Sequence, residues 1–326
     1  MNLTSILNKA VLGRVIFGLV VLALVAASTY AISSPWVSTW GATAEEAQSA
    51  LPGDEVAPQA TTHSTRAVTI EALPEEVWPW LMQLGWGRGG FYSYNWIENL
   101  MGADLHNADR IHPEWQDLKV GDDIWMAPAG RYGESTKLQV AQIRPNRALV
   151  TGHPLADNAS GAYKMAYKDS GAFVLQPTEE GNTRLIVRDR DDMGSENLLS
   201  AFFTNAIYRP GHFIMERGQM LGIKALAEGA QSERSVIERV SFVCVLAAAL
   251  GLVAMLFSRR RWPGALIVAS VGTCLATLVF FLWYPSVVFG IFLDLAVLGA
   301  LVWTYRPSKL AKGPREIGGR HTRWSS

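Results

Sequence analysis

Four long runs without a charge constrain this chain more than any other feature. They cover 15–34, 240–258, 264–283 and 287–305, the last interrupted only by Asp294. A bilayer crossing takes about 20 residues at about 1.5 Å each, so each run reads as a transmembrane helix. Cations set the orientation. Lys9 and Arg14 precede the first run, and Arg259, Arg260 and Arg261 join the second to the third. Arg306, Lys309, Lys312, Arg315, Arg320 and Arg323 follow the fourth, whereas Tyr284-Pro285-Ser286 is uncharged. One threading places every basic segment in the cytoplasm. The expectation is a multi-pass protein of the cell membrane, both termini cytoplasmic, with its soluble domain on the extracytoplasmic side. Ala27-Ser-Thr-Tyr-Ala31 has the look of a signal-peptide cleavage site, and cleavage there exports the same domain. Asp294 costs about 2.5–3.5 kcal/mol within a span. It is therefore expected as a polar membrane site, paired inside the helix bundle.

On this reading the chain divides into a cytoplasmic start with the first span (1–35), a linker (36–65), a folded domain (66–232), three further spans (236–305) and a basic tail (306–326). Net charge is zero and the pI is about 7.0, which gives no footing for a nucleic-acid partner. The cysteines, Cys244 and Cys274, both fall in expected spans. The exported domain must hold together by its core, without a disulfide.

Within that domain the period changes along the chain. In RAVTIEA (66–72), Val68 and Ile70 alternate with Thr69 and Glu71, as in a half-buried strand. LPEEVWPWLMQLG follows, with Pro74, Glu75 and Glu76 suited to a helix start. Pro79 predicts a kink or a late start there. A second helix is predicted over 94–101, ended by Gly102. Strands are expected at 121–127, 137–143, 147–152, 163–168 and 171–177, with a hairpin turn at Gly181-Asn182. A long helical stretch, 195–230, is broken near Pro210-Gly211. This order predicts an α+β domain whose helices cover one face of a curved antiparallel sheet.

The stretch GRGGFYSYNWIENLMGADLHNADRIHPEW, 87–115, concentrates glycine, aromatic and titratable residues. Paired with TIEALPEEVWPWLMQLG, it resembles the START/polyketide-cyclase (SRPBCC) superfamily, in particular a membrane-attached bacterial subgroup. That likeness spans about 40–228, from Trp40-Gly41-Ala42-Thr43 to the closing helix with Met215-Glu216, Leu221-Gly222-Ile223-Lys224 and Ala227-Glu228. The resemblance implies a helix-grip fold, an antiparallel sheet wrapped around a long C-terminal helix with an apolar cavity between them. It also implies a hydrophobic or lipid-like small molecule as ligand. Members often carry an acid where this chain has Asn95, and an amide cannot carry a proton.

Candidate site residues follow from side-chain chemistry. Phe91, Tyr92, Tyr94 and Trp96 offer large apolar faces with few polar tips, suited to lining a small-molecule cavity or to plain core packing. Arg88 can anchor a carboxylate or phosphate head group. His106 can contact a ligand, or with Asn107 clamp the loop by hydrogen bonds. Glu98 and His106 are the candidates for proton transfer. Asp104, His106, Asp109 and His112 lack the i, i+4 histidine pair of a helical zinc site, so no metal and no cofactor is expected. The leading expectation is a membrane-anchored binding module for a hydrophobic ligand. The rivals are a cyclase- or hydrolase-like enzyme and a protein-docking scaffold.

Overall fold

Alternating apolar positions assemble here into one six-stranded antiparallel sheet. The computed structural model describes residues 16, 36–155, 167–192, 197–257, 262–277 and 279–280. In chain order the elements are α1 (Ala44–Gln48), β1 (Thr62–Ile70), α2 (Pro74–Met82), α3 (Asn95–Leu100), β2 (Asp123–Trp125), β3 (Lys137–Arg144), β4 (Ala148–Gly152), β5 (Ser170–Pro177) and β6 (Thr183–Asp191). Helices α4 (Leu198–Phe203), α5 (Arg209–Ala227), α6 (Gln231–Phe257) and α7 (Trp262–Thr277) follow. The strand order is β1-β6-β5-β4-β3-β2, so the first strand returns to pair with the last.

Period-2 geometry gives the sheet two working faces. Leu149, Leu175, Leu185 and Val187 point to one of them. There they share a core with Val77 and Leu81 of α2 and with Met220, Ile223 and Leu226 of α5. Ala148, Val150, Ala172, Val174 and Ile186, at the alternate positions, point the other way, against Leu51. The segment before β1, expected as a linker, thus covers the second face. Val37, Leu51 and Ala57 are buried within it.

Arginines on the even positions of β6 fasten that segment. Arg188 is 4% exposed and donates to Thr65 Oγ1, to the carbonyls of Glu46, Ala47 and Ser49, and to Asp54 Oδ2. Arg184 pairs with both carboxylate oxygens of Glu46, at 2.7 and 2.9 Å. Arg184 lowers the Glu46 pKa by direct hydrogen bonding, outweighing the upward push of burial.

Several boundaries differ from the sequence expectations. Strand β1 begins at Thr62, four residues early, because its pairing with β6 runs from Thr62 opposite Asp191 to Ile70 opposite Thr183. Helix α2 starts at Pro74 and continues through Pro79 to Met82. The break in the C-terminal stretch is a π turn, Thr204–Tyr208, just ahead of Pro210. The expected strand at 163–168 lies mostly outside the described residues, where Tyr167 makes a single bridge to Pro154. The β5–β6 hairpin forms as expected, with Gly181 at φ 82°.

The expectation of four transmembrane helices is corrected. Among the described residues no helix is long and apolar enough to cross a membrane. Helix α7 has 16 residues, about 24 Å, against about 30 Å of hydrocarbon. Helix α6 is longer, but its first third carries Glu233, Arg234, Glu238 and Arg239. The first expected span, apart from Ile16, and the fourth, with Asp294, lie outside the described residues.

Candidate functional site

Between the core face of the sheet and helix α5 lies a cavity of about 980 Å³. Phe173 of β5 and Val187 of β6 form its sheet wall, and Leu138 of β3 and Ile124 of β2 extend that wall. Leu84 and Phe91, from the segment after α2, close another side. Helix α5 contributes His212, Met215, Glu216 and Gln219, a set at helical spacing on one face.

The wall turns polar where β1, β6 and α5 meet. Asp189 follows Val187 by two and so projects to the same side of β6. Arg66 stands opposite Val187 in the β1–β6 register and therefore shares that side. Its guanidinium lies 2.7 Å from Glu216 Oε2 and 3.6 Å from Asp189 Oδ2. His212 Nδ1 is 3.7 Å from Glu216 Oε2 and 4.0 Å from Asp189 Oδ2. Phe213 and the carbonyl of Val37, which accepts from Nε at 2.9 Å, hold the other side of Arg66.

Burial and mutual repulsion set the charge states in this corner. Burial, then the adjoining Glu216 charge, raises the Asp189 carboxyl well above the usual carboxylate range. Burial also pushes Glu216 up, but Arg66 and the contacts with Asp189 and His212 outweigh it and leave Glu216 lowered. The two carboxyls are thus driven apart, Asp189 upward and Glu216 downward. Burial lowers His212, keeping its imidazole neutral. The 40% of its side chain that is exposed faces the cavity. Tyr208, stacked on His212 at 5.7 Å, is pushed up to about 12 by burial and the nearby carboxylates.

The candidates read from the sequence scatter around this space. Phe91 and Glu98 line the cavity. Tyr92, 1% exposed, is set edge-on against Trp80 in the core, with its backbone at φ 58°. Tyr94 and Trp96 face α6 and the following segment instead. Tyr94 packs on Phe280, and burial raises its hydroxyl to about 12. Trp96 donates from Nε1 to Ser241 Oγ at 2.9 Å. Arg88 donates to the carbonyls of Met82, at 2.9 Å, and Trp115, so it ties the loop to the end of α2. His106 is exposed and is not among the cavity-lining residues, so the structure does not bring it together with Glu98. Asp294 lies outside the described residues.

The loop is clamped by Asn107. Its Oδ1 accepts from the backbone of Phe91 at 3.0 Å and Tyr92 at 2.6 Å, and its Nδ2 donates to Ser93 O. Asp104 and Asp109 are exposed, while His112 stacks on Trp115 and pairs with Glu114. The Arg66–Asp189–His212–Glu216 corner was not anticipated. Its one local signal is the i, i+4 pair His212–Glu216, which places an imidazole and a carboxylate on the same helix face.

No protein-family model matches the chain, and no curated protein matches it. Two solved structures are similar to parts of it. One is a crystal structure of protein MLL2253 from Mesorhizobium loti, at 16% identity and a TM-score of 0.27, covering 51% of this chain and 96% of that one. The other is a solution NMR structure of a protein from Arthrobacter aurescens, at 13% identity and a TM-score of 0.27, covering 56% of this chain and 92% of that one.

Proposed function

We propose that this protein binds an amphipathic, lipid-like small molecule between its sheet and α5. One observation carries the reading, the cavity of about 980 Å³ with Phe91, Leu138, Phe173 and Val187 on its walls and the Arg66, Asp189, His212 and Glu216 cluster among its polar lining. Small-molecule sites typically occupy about 300–1,000 Å³, mostly apolar with a few polar groups that fix orientation. An apolar body would lie along the strands, and a polar end would meet Arg66, His212 and the carboxyl pair. The resemblance of 40–228 to the START/polyketide-cyclase superfamily supports the same reading, since members bind hydrophobic small molecules.

Native mass spectrometry of the full-length protein, followed by solvent extraction, tests the proposal. A small organic molecule at one copy per chain is the expected result. Leu138→Trp, which narrows the cavity from a partly buried position, should reduce its occupancy at least about tenfold. A purified protein that carries no such molecule and takes up no fluorescent apolar probe would overturn it.

A further inference from the structure

We propose that Asp189, His212 and Glu216 form a binding site for a divalent transition-metal ion on the cavity wall. The three residues come from two elements, Asp189 from β6 and the other two from successive turns of α5. Their ligand atoms lie within 4.8 Å of one another. Two ligands each about 2.1 Å from one ion can be at most about 4.2 Å apart. The distances from His212 Nδ1, 3.7 Å to Glu216 and 4.0 Å to Asp189, fall inside that ceiling.

A second, independent observation concerns Glu216. Its side chain is 5% exposed and faces the cavity, yet among the described residues no donor hydrogen-bonds Oε1. Arg66 pairs with Oε2, the same oxygen that lies 3.7 Å from His212 Nδ1. Ligating carboxylates are themselves usually held by such an outer partner. With two facing carboxylates and one guanidinium, the corner has room for a further positive charge.

The donor set decides the class of ion. One imidazole and two carboxylates suit Zn²⁺, Mn²⁺, Fe²⁺ or Co²⁺, whereas thiolate-seeking ions find no sulfur donor in this set. The remaining coordination positions would open into the cavity, toward the polar end of whatever it holds. Sequence spacing predicted no metal, because the histidine of this site is joined to Asp189 only by the fold. The site does not depend on the lipid-like ligand proposed above, and metal binding is measured without one.

Titration of chelator-treated, full-length protein with Co²⁺, followed by visible absorption, tests the proposal. The expected result is a ligand-field band that saturates at one Co²⁺ per chain and is bleached by Zn²⁺. His212→Ala removes a partly exposed side chain and leaves no buried charge, so it should fold and weaken binding at least about tenfold. Glu216→Gln should weaken it similarly. If Glu216→Gln fails to fold, His212→Ala decides alone. His112→Ala, at the separate pair with Glu114, should leave binding unchanged. Absence of a stoichiometric band would overturn the site. So would equal Co²⁺ affinity in the wild type and His212→Ala, which would mark adventitious surface binding.

Discussion

Asn107 carries the geometry of the 87–115 loop through one amide. Replacing it by alanine leaves the Phe91 and Tyr92 N–H groups without their acceptor while Tyr92 stays at φ 58°. Each stranded donor costs about 1–3 kcal/mol. Asn107→Ala should therefore lower stability by about 2–4 kcal/mol, seen as a lower urea midpoint with an unchanged slope. The same loop meets α5 at Gly222, where a methyl group would sit 2.0 Å from the Tyr92 carbonyl oxygen. That contact explains why glycine stands in mid-helix, where it costs roughly 1 kcal/mol relative to alanine. The sequence made the loop conspicuous but did not reveal what each of its side chains touches. Phe91 and Glu98 line the cavity. Tyr94 and Trp96 carry similar chemistry but are covered by α6 and the segment around Phe280, and that packing involves residues more than a hundred positions away.

Among the elements, β6 is the most heavily committed. Its odd positions supply the core and cavity wall, and its even positions supply the arginines that fasten the leading segment. The Glu46–Arg184 pair should make one of these fastenings pH-dependent. Glu46 is lowered from its ordinary 4.5 in the folded protein, chiefly by Arg184. Its contribution is therefore complete above about pH 4.5 and is lost as pH falls through the lower folded value. Glu46→Gln should melt earlier than wild type at about pH 7, by an amount worth about 1 kcal/mol. That gap should shrink in melts recorded progressively below about pH 4.5. The strands were legible because alternation and the Gly181-Asn182 turn are local signals. Antiparallel register was not, and the corner that joins Arg66, Asp189 and His212 is a product of register. A His–Glu pair one helical turn apart reads, by itself, as an ordinary surface pair. The second and third apolar runs differ from expectation for a related reason. Hydropathy reports that a segment avoids water, while no described helix is both long and apolar enough to cross a membrane.

At the scale of the whole molecule, the sheet is a partition with different business on each side. One side holds α2, α5 and the cavity, and the other is sealed by residues that precede β1. Arg188 links this division to the chain's order, since three of its acceptors are carbonyls from Glu46, Ala47 and Ser49. A fragment beginning at Thr62 would keep every strand. It should nevertheless lose cooperative thermal unfolding by calorimetry, whereas one beginning at Trp36 should retain it. Stripped of those carbonyls, Arg188 would stand as a lone cation on a bare patch made by Ala148, Val150 and Val174. Water and neighbouring molecules would compete for that patch, and self-association would follow before any loss of strand content. Trimming at the apparent start of regular structure would thus yield a sticky particle with its chamber still in place.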